Sequence, residues 1–217
     1  MPHGGRGRHR KLAPCMSAWT DLNTVWRACF EQAHAAYLQA GSVPIGAVIV
    51  DASARVVAAG GNCGARGRLL HAEMNALAAL PDSLERTRCE LFCTLEPCPM
   101  CTGAIRMCQL RAVHFAARDP AAGCTELLDA NEFMRSFPCV RHAPDDPVLE
   151  HVSAALMIEF RVRNGHSRWQ EHWSRYLPAA VECGLELVQR GAYAQWSQRD
   201  ISAAELFDTV AQLRAGG

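Results

Sequence analysis

CELFCTLEPCPMCTGAIRMCQLRAVHFAA, residues 89–117, decides the architecture. Its opening run, Cys89 to Leu95, has the composition of a buried strand. Pro97 and Pro99 then punctuate a turn, a helix begins near Pro99 or Met100, and Ala112 to Ala117 supplies another apolar strand. Upstream, VPIGAVIVD and ARVVAAGGN are two β-branched runs joined by a polar turn at Asp51 to Ala54, which predicts an antiparallel hairpin. Between hairpin and central strand, His71 to Leu80 is rich in helix formers and ends at Pro81. Thr20 to Ala40 carries Leu22, Val25, Trp26, Cys29, Phe30, Ala33, Ala36 and Tyr37 at helical spacing, with Gly41 as a stop. Downstream come a helix over about Thr125 to Arg135, a short run at Cys139 to His142 and a helix from Pro147 to Arg163. This alternation predicts an α/β fold of three layers, a mixed sheet of about five strands with helices on both faces.

The chain has 217 residues, enough for one sizeable core. At 49% hydrophobic and 20% charged it reads as a folded globular protein. Lys plus Arg and Asp plus Glu both number 22, so no global positive field draws the chain to phosphate backbones, and a small substrate is favoured. Eleven cysteines without a secretory signal in a chain of this size point to a reducing cytoplasm, not to a disulfide framework. No apolar run is long enough to span a bilayer, so no membrane partner is expected. Residues 1–17 read as a disordered basic arm, residues 18–163 as the main domain and residues 164–217 as a helical extension. The extension carries Trp169, Trp173, Tyr176 and Leu177 at helical spacing, then Pro178 and a run to Gln189. Ser202 with Glu205 forms a capping box before a last helix. Such aromatic spacing reads as packing or a subunit contact in preference to chemistry.

Two predicted helix starts carry metal-ligand chemistry: His71 with Glu73 in HAE, and Cys98 with Cys101 in PCPMC. A helix N-terminus favours the thiolate form that binds metal, and Cys-x-x-Cys at such a start turns both sulfurs towards one ion. Two sulfurs and one imidazole leave a fourth tetrahedral position, the mark of a catalytic zinc and not a closed structural one. Glu73, two residues past His71, is placed to move protons without itself serving as a ligand. A lone CxxC is as compatible with a structural zinc knuckle or with unrelated buried thiols. The set H-x-E…P-C-x-x-C is far more specific, being the signature of zinc deaminases. His34, His114, His142, His151, His166 and His172 have no ligand-like spacing with this set, and Cys63, Cys89, Cys93, Cys108, Cys124, Cys139 and Cys183 read as ordinary buried thiols.

At these residues the sequence resembles the cytidine and deoxycytidylate deaminase superfamily, and within it the branch of tRNA adenosine deaminases and guanine deaminases. The likeness runs from about Trp19 to Arg163. VPIGAVIV is similar to that branch's first strand, GGN places Asn62 where the family contacts the base, and TLEPCPMCTGAI is similar to its second zinc segment. FAARDPAAG, with Asp119, resembles a segment bordering the substrate channel in tRNA adenosine deaminases, whereas the proline inside PCPMC resembles small-base deaminases. The resemblance implies bound Zn2+, hydrolytic removal of an exocyclic amino group from a nucleobase, and a homodimer. A purine-type base or nucleoside is the expected substrate, with adenosine in tRNA as the alternative. A noncatalytic zinc scaffold for partner binding is a third reading, and the presence of Glu73 speaks against it.

Overall fold

A computed structural model describes residues 18–166, 168 and 170–213; the basic arm expected over residues 1–17, and Trp169, lie outside the described residues. The hairpin forms as β1 (Gly46–Val50) and β2 (Val56–Gly61), antiparallel, with Val48 opposite Ala59. β3 (Glu90–Cys93) pairs antiparallel with the other edge of β1, and β4 (Ala112–Phe115) runs parallel to β3. β5 (Val140–His142) closes the sheet parallel to β4, giving the order β2-β1-β3-β4-β5. The sheet is therefore mixed, as the alternation of strand and helix signals predicts.

All five residues of β1 are buried because helices cover both faces, which is why it reads as a continuous apolar run and not an alternating one. Gly46, Val48 and Val50 point towards α1 (Thr24–His34), while Ala47 and Ile49 join the cluster under α2 (Ala72–Ala78) and α3 (Pro99–Met107). α2 lies so close on β2 that a Cβ at Gly60 would come within 2.6 Å of the Ala72 carbonyl oxygen and the Ala76 nitrogen. Only a residue without a side chain permits that approach, and it sets where α2 begins.

The helices differ from the sequence expectation where polar side chains break them. The run expected over Thr20 to Ala40 starts late, because Asn23 caps α1 by accepting the Trp26 N–H at 2.9 Å. It ends in a π-helical turn, Ala35–Gln39, followed by Gly41 in the left-handed region at φ 59°. The helix expected over Thr125 to Arg135 splits into a 3-10 turn, Thr125–Asp129, and α4 (Glu132–Arg135), because Asn131 caps the second piece. The Arg106 guanidinium then takes the Met134 and Phe133 carbonyls at 3.0 and 2.8 Å and holds that piece against α3. α5 (Pro147–Arg163) has the expected bounds, opened by Pro147 after the Asp146 cap.

The extension forms α6 (Gln170–Ser174), α7 (Pro178–Gln189), α8 (Ala192–Arg199) and α9 (Ala203–Leu213). The capping box is present: the Ser202 N–H donates to Glu205 Oε2 at 2.9 Å and the Glu205 N–H to Ser202 Oγ at 3.2 Å. Trp173, Trp196 and Phe207 share one buried cluster with Phe30, Tyr37 and Val152, so the extension is continuous with the core around α1 and α5. Phe207 meets Phe30 edge-on at 5.0 Å, and His34 Nε2 donates to the Ile201 carbonyl at 2.7 Å. Among the described residues no helix is long and apolar enough to cross a membrane. Truncating Phe207 to Ala should lower unfolding stability by about 3–5 kcal/mol in one cooperative transition. Denaturant melts that show the extension unfolding first, with the main transition unmoved, would contradict this packing.

Candidate active site

His71 is the N-cap of α2 and Cys98 the N-cap of α3, and neither side chain takes up capping duty. Their backbones do the local work: the His71 carbonyl accepts the Asn75 N–H and the Cys98 carbonyl accepts the Thr102 N–H, both at 2.9 Å. The side chains are thereby left to face each other across the packed starts of the two helices. Cys101, one turn into α3, completes the group. Cys98 Sγ lies 3.6 Å from His71 Nδ1 and 3.6 Å from Cys101 Sγ, and Cys101 Sγ lies 3.5 Å from His71 Nδ1.

Those three distances test the fit to a metal. Sulfur and nitrogen ligands at about 2.3 and 2.0 Å from a tetrahedral zinc stand about 3.5–3.8 Å apart. The observed triangle has those edges, and its donors, two sulfurs and an imidazole nitrogen, are those of a zinc site. Among the described residues no other group of three metal-ligating side chains converges in this way.

The charge pattern has the same origin. Hydrogen bonding with the Cys101 sulfur, and then with His71, holds the Cys98 thiol down to about 4. Its hydrogen bond to Cys98, together with burial, pushes the Cys101 thiol above the usual thiol range, and the Cys98 sulfur raises His71. Glu73 sits in the first turn of α2, only 4% exposed, within hydrogen-bond reach of Cys101. Burial, then the Cys98 charge, pushes its carboxyl up to about 7.

Beside this group lies a cavity of about 320 Å³ lined by Ser42, Asn62, Arg68, His71 and Phe160 among others. Asn62 is buried, and its orientation is fixed: Oδ1 accepts the Gly64 backbone N–H at 2.9 Å and the Ser42 hydroxyl at 2.8 Å. A backbone N–H can only donate, so the oxygen must face Gly64 and the amide NH2 is left for the cavity. Asp119 is placed differently. Its Oδ1 accepts the Ala121 and Ala122 N–H groups at 2.9 and 3.1 Å, a turn of the loop after β4, and it is not among the cavity-lining residues. Burial raises its carboxyl, and these two N–H bonds, then the Arg161 charge, partly offset that. Ser42 and Glu96 are the residues that sequence reasoning misses. Glu96 Oε1 accepts the Thr125 hydroxyl at 2.6 Å and Oε2 faces the Asp119 N–H at 3.4 Å, which ties the loop after β4 to the segment carrying Cys98. Glu96 stands inside the LEPC stretch, so a signal existed; nothing near Ser42 in the chain marks it.

Fold and site together define a zinc hydrolase class, and comparison with known proteins fixes the family. Residues 20–117 match the model of the cytidine and deoxycytidylate deaminase zinc-binding region. A tRNA-specific adenosine deaminase of Agrobacterium fabrum is 36% identical over 128 residues, covering 54% of this chain and 80% of that protein. One of Bacillus subtilis is 39% identical over 93 residues, covering 41% and 57%. A cytosine deaminase of Candida albicans is 32% identical over 110 residues, covering 48% and 72%. The chain belongs to the cytidine and deoxycytidylate deaminase family and is a zinc-dependent hydrolytic deaminase.

Metal analysis after dialysis should find one zinc per chain in the native protein and in Glu73→Gln, and zinc at background in His71→Ala and Cys98→Ala. Full zinc occupancy in either ligand variant would remove that residue from the metal centre.

Proposed function

We propose that the chain hydrolyses the exocyclic amino group of adenosine in tRNA, giving inosine and ammonia. The observation that carries this reading is the cavity mouth. Gly41, Gly64, Ala65 and Arg68 line the cavity and are exposed at the surface, so a base can enter while its backbone stays outside. Arg66 and Arg68 stand exposed in the loop bordering it, and among the described residues neither has a carboxylate partner. The names of the two bacterial relatives agree with this reading.

It departs from the small substrate that zero net charge favours. Charge acts over about 8–10 Å at ordinary ionic strength, so arginines at the mouth count for more than acidic groups across the molecule.

His71, Cys98 and Cys101 would hold the zinc, which when bound supplies water that ionises near neutral pH. Glu73 would take a proton from the attacking water and deliver it to the ring nitrogen as the oxygen bonds to the amino-bearing carbon. It would then carry the remaining hydroxyl proton to the amino group, so that the carbon–nitrogen bond breaks with ammonia, and not an amide anion, as the leaving group. Asn62 donates its NH2 to an acceptor on the base, held in that orientation by Ser42 and Gly64. Asp119 does not line the cavity and would act on the substrate only through the loop of residues 119–123, which it shapes.

Incubation with an anticodon stem-loop, digestion and nucleoside analysis should show inosine. Glu73→Gln should lower turnover by roughly 10²–10⁴-fold with zinc still bound. Turnover of free bases or nucleosides with no inosine in the RNA would return the assignment to a small substrate. Arg66→Glu with Arg68→Glu should raise KM for the stem-loop and flatten its dependence on salt. Equal effects on KM for a free nucleoside would show that these arginines do not act through phosphate.

A further inference from the structure

The helical extension reaches the substrate cavity through a buried charged cluster. Glu159, on α5, is 0% exposed, and a carboxylate removed from water in this way is costly unless hydrogen bonds surround it. Arg163 Nε donates to its Oε1 at 2.8 Å, and the Tyr37 hydroxyl donates to Oε2. The arginine is itself incompletely served: its Nη2 is buried without a hydrogen-bond acceptor. What covers the guanidinium is the ring of Tyr193 on α8, with the guanidinium carbon 3.6 Å from the ring centroid. The rings of Phe160 and Tyr37 stand further off, at 5.5 and 5.7 Å. A cation that close to an aromatic face is attracted by the ring quadrupole, most strongly where water is excluded.

Two routes lead from this cluster to the cavity. Tyr37 lies in the π-helical turn, and Gly41, four residues further on, is left-handed and lines the cavity. A Cβ built there would stand 3.8 Å from the Tyr193 hydroxyl. The Ala36 carbonyl accepts the Ser42 N–H at 2.8 Å, and Ser42 in turn holds the Asn62 oxygen at 2.8 Å. On the other route, Phe160, the neighbour of Glu159, forms part of the cavity wall.

We propose that Tyr193 is a positioning residue for the active site: its ring seats Arg163 on Glu159, Glu159 fixes Tyr37, and the turn of residues 37–42 fixes Ser42 and the Asn62 amide. The C-terminal helices are thus part of the machinery that aims the substrate-binding amide, supplied from outside the family's matching region, residues 20–117. The kinetic part of this inference rests on the deaminase reading above, and its structural part does not.

The test compares full-length, zinc-loaded Tyr193→Phe and Tyr193→Leu with the native chain. Two-dimensional NMR reads the Asn62 side-chain NH2 and the Ser42 backbone N–H, and stem-loop kinetics read KM and kcat. Phe keeps the aromatic face and should match the native protein in both. Leu keeps apolar bulk without the face, and should displace both sets of resonances and raise KM about tenfold with kcat within about twofold. If Tyr193→Leu folds poorly, Arg163→Lys, which retains the charge beside Glu159 but not the planar stack, should give the same displacement and the same rise. Unmoved Asn62 and Ser42 resonances in a folded Tyr193→Leu, or a Tyr193→Phe protein that behaves like the Leu variant, would overturn the proposal. A native chain inactive on the stem-loop, with the resonances still displaced in Tyr193→Leu, would sink the substrate assignment and leave the positioning role standing.

Discussion

One constraint organises the structure: the first turns of two helices must approach until an imidazole and two sulfurs stand 3.5–3.6 Å from one another. Nothing in either helix alone achieves this. α2 is brought down onto β2 at Gly60, where no side chain intervenes, and α3 follows β3, the middle strand of the sheet. The wholly buried β1, the close-packed α2 and the parallel β3–α3–β4 crossover are what that approach requires. Hydrogen bonds link the three donors to one another, holding the Cys98 thiol low and pushing the Cys101 thiol up. Metal binding exchanges those protons for a cation, so affinity must fall as the solution becomes more acidic.

The acidic residue beside this group and the amide across the cavity are held by different means. Glu73 belongs to the same short helix as the imidazole and is placed by burial. Asn62 belongs to the loop after β2 and is aimed by hydrogen bonds from Ser42 and Gly64. The Glu73 carboxyl thus sits in the rigid centre, whereas the orientation of the Asn62 amide depends on Ser42, whose N–H is bonded to the Ala36 carbonyl of the π-helical turn.

Much of this is legible in the sequence, for reasons that differ by residue. The strands, the bounds of α5 and the grouping of His71 with Cys98 and Cys101 follow from local signals: apolar runs, Pro147 after Asp146, and ligand types at two helix starts. The split between Thr125 and Arg135 does not, because Asn131 is a tolerable helix residue until Arg106, 25 positions away, claims the carbonyls beyond it. α8 is likewise hidden, since its buried face consists of little more than Ala192 and Trp196. Ser42 acts through a partner 20 residues distant, which no local pattern reveals. Net charge is a sum over the whole chain and says nothing about where Arg66 and Arg68 stand, exposed in the loop beside the cavity.

Zinc K-edge absorption on the purified, full-length protein tests the central claim most directly. The account predicts two sulfur neighbours at about 2.3 Å and two nitrogen or oxygen neighbours at about 2.0 Å, one of them an imidazole. A shell of four sulfurs, or a protein that holds no zinc, would contradict it.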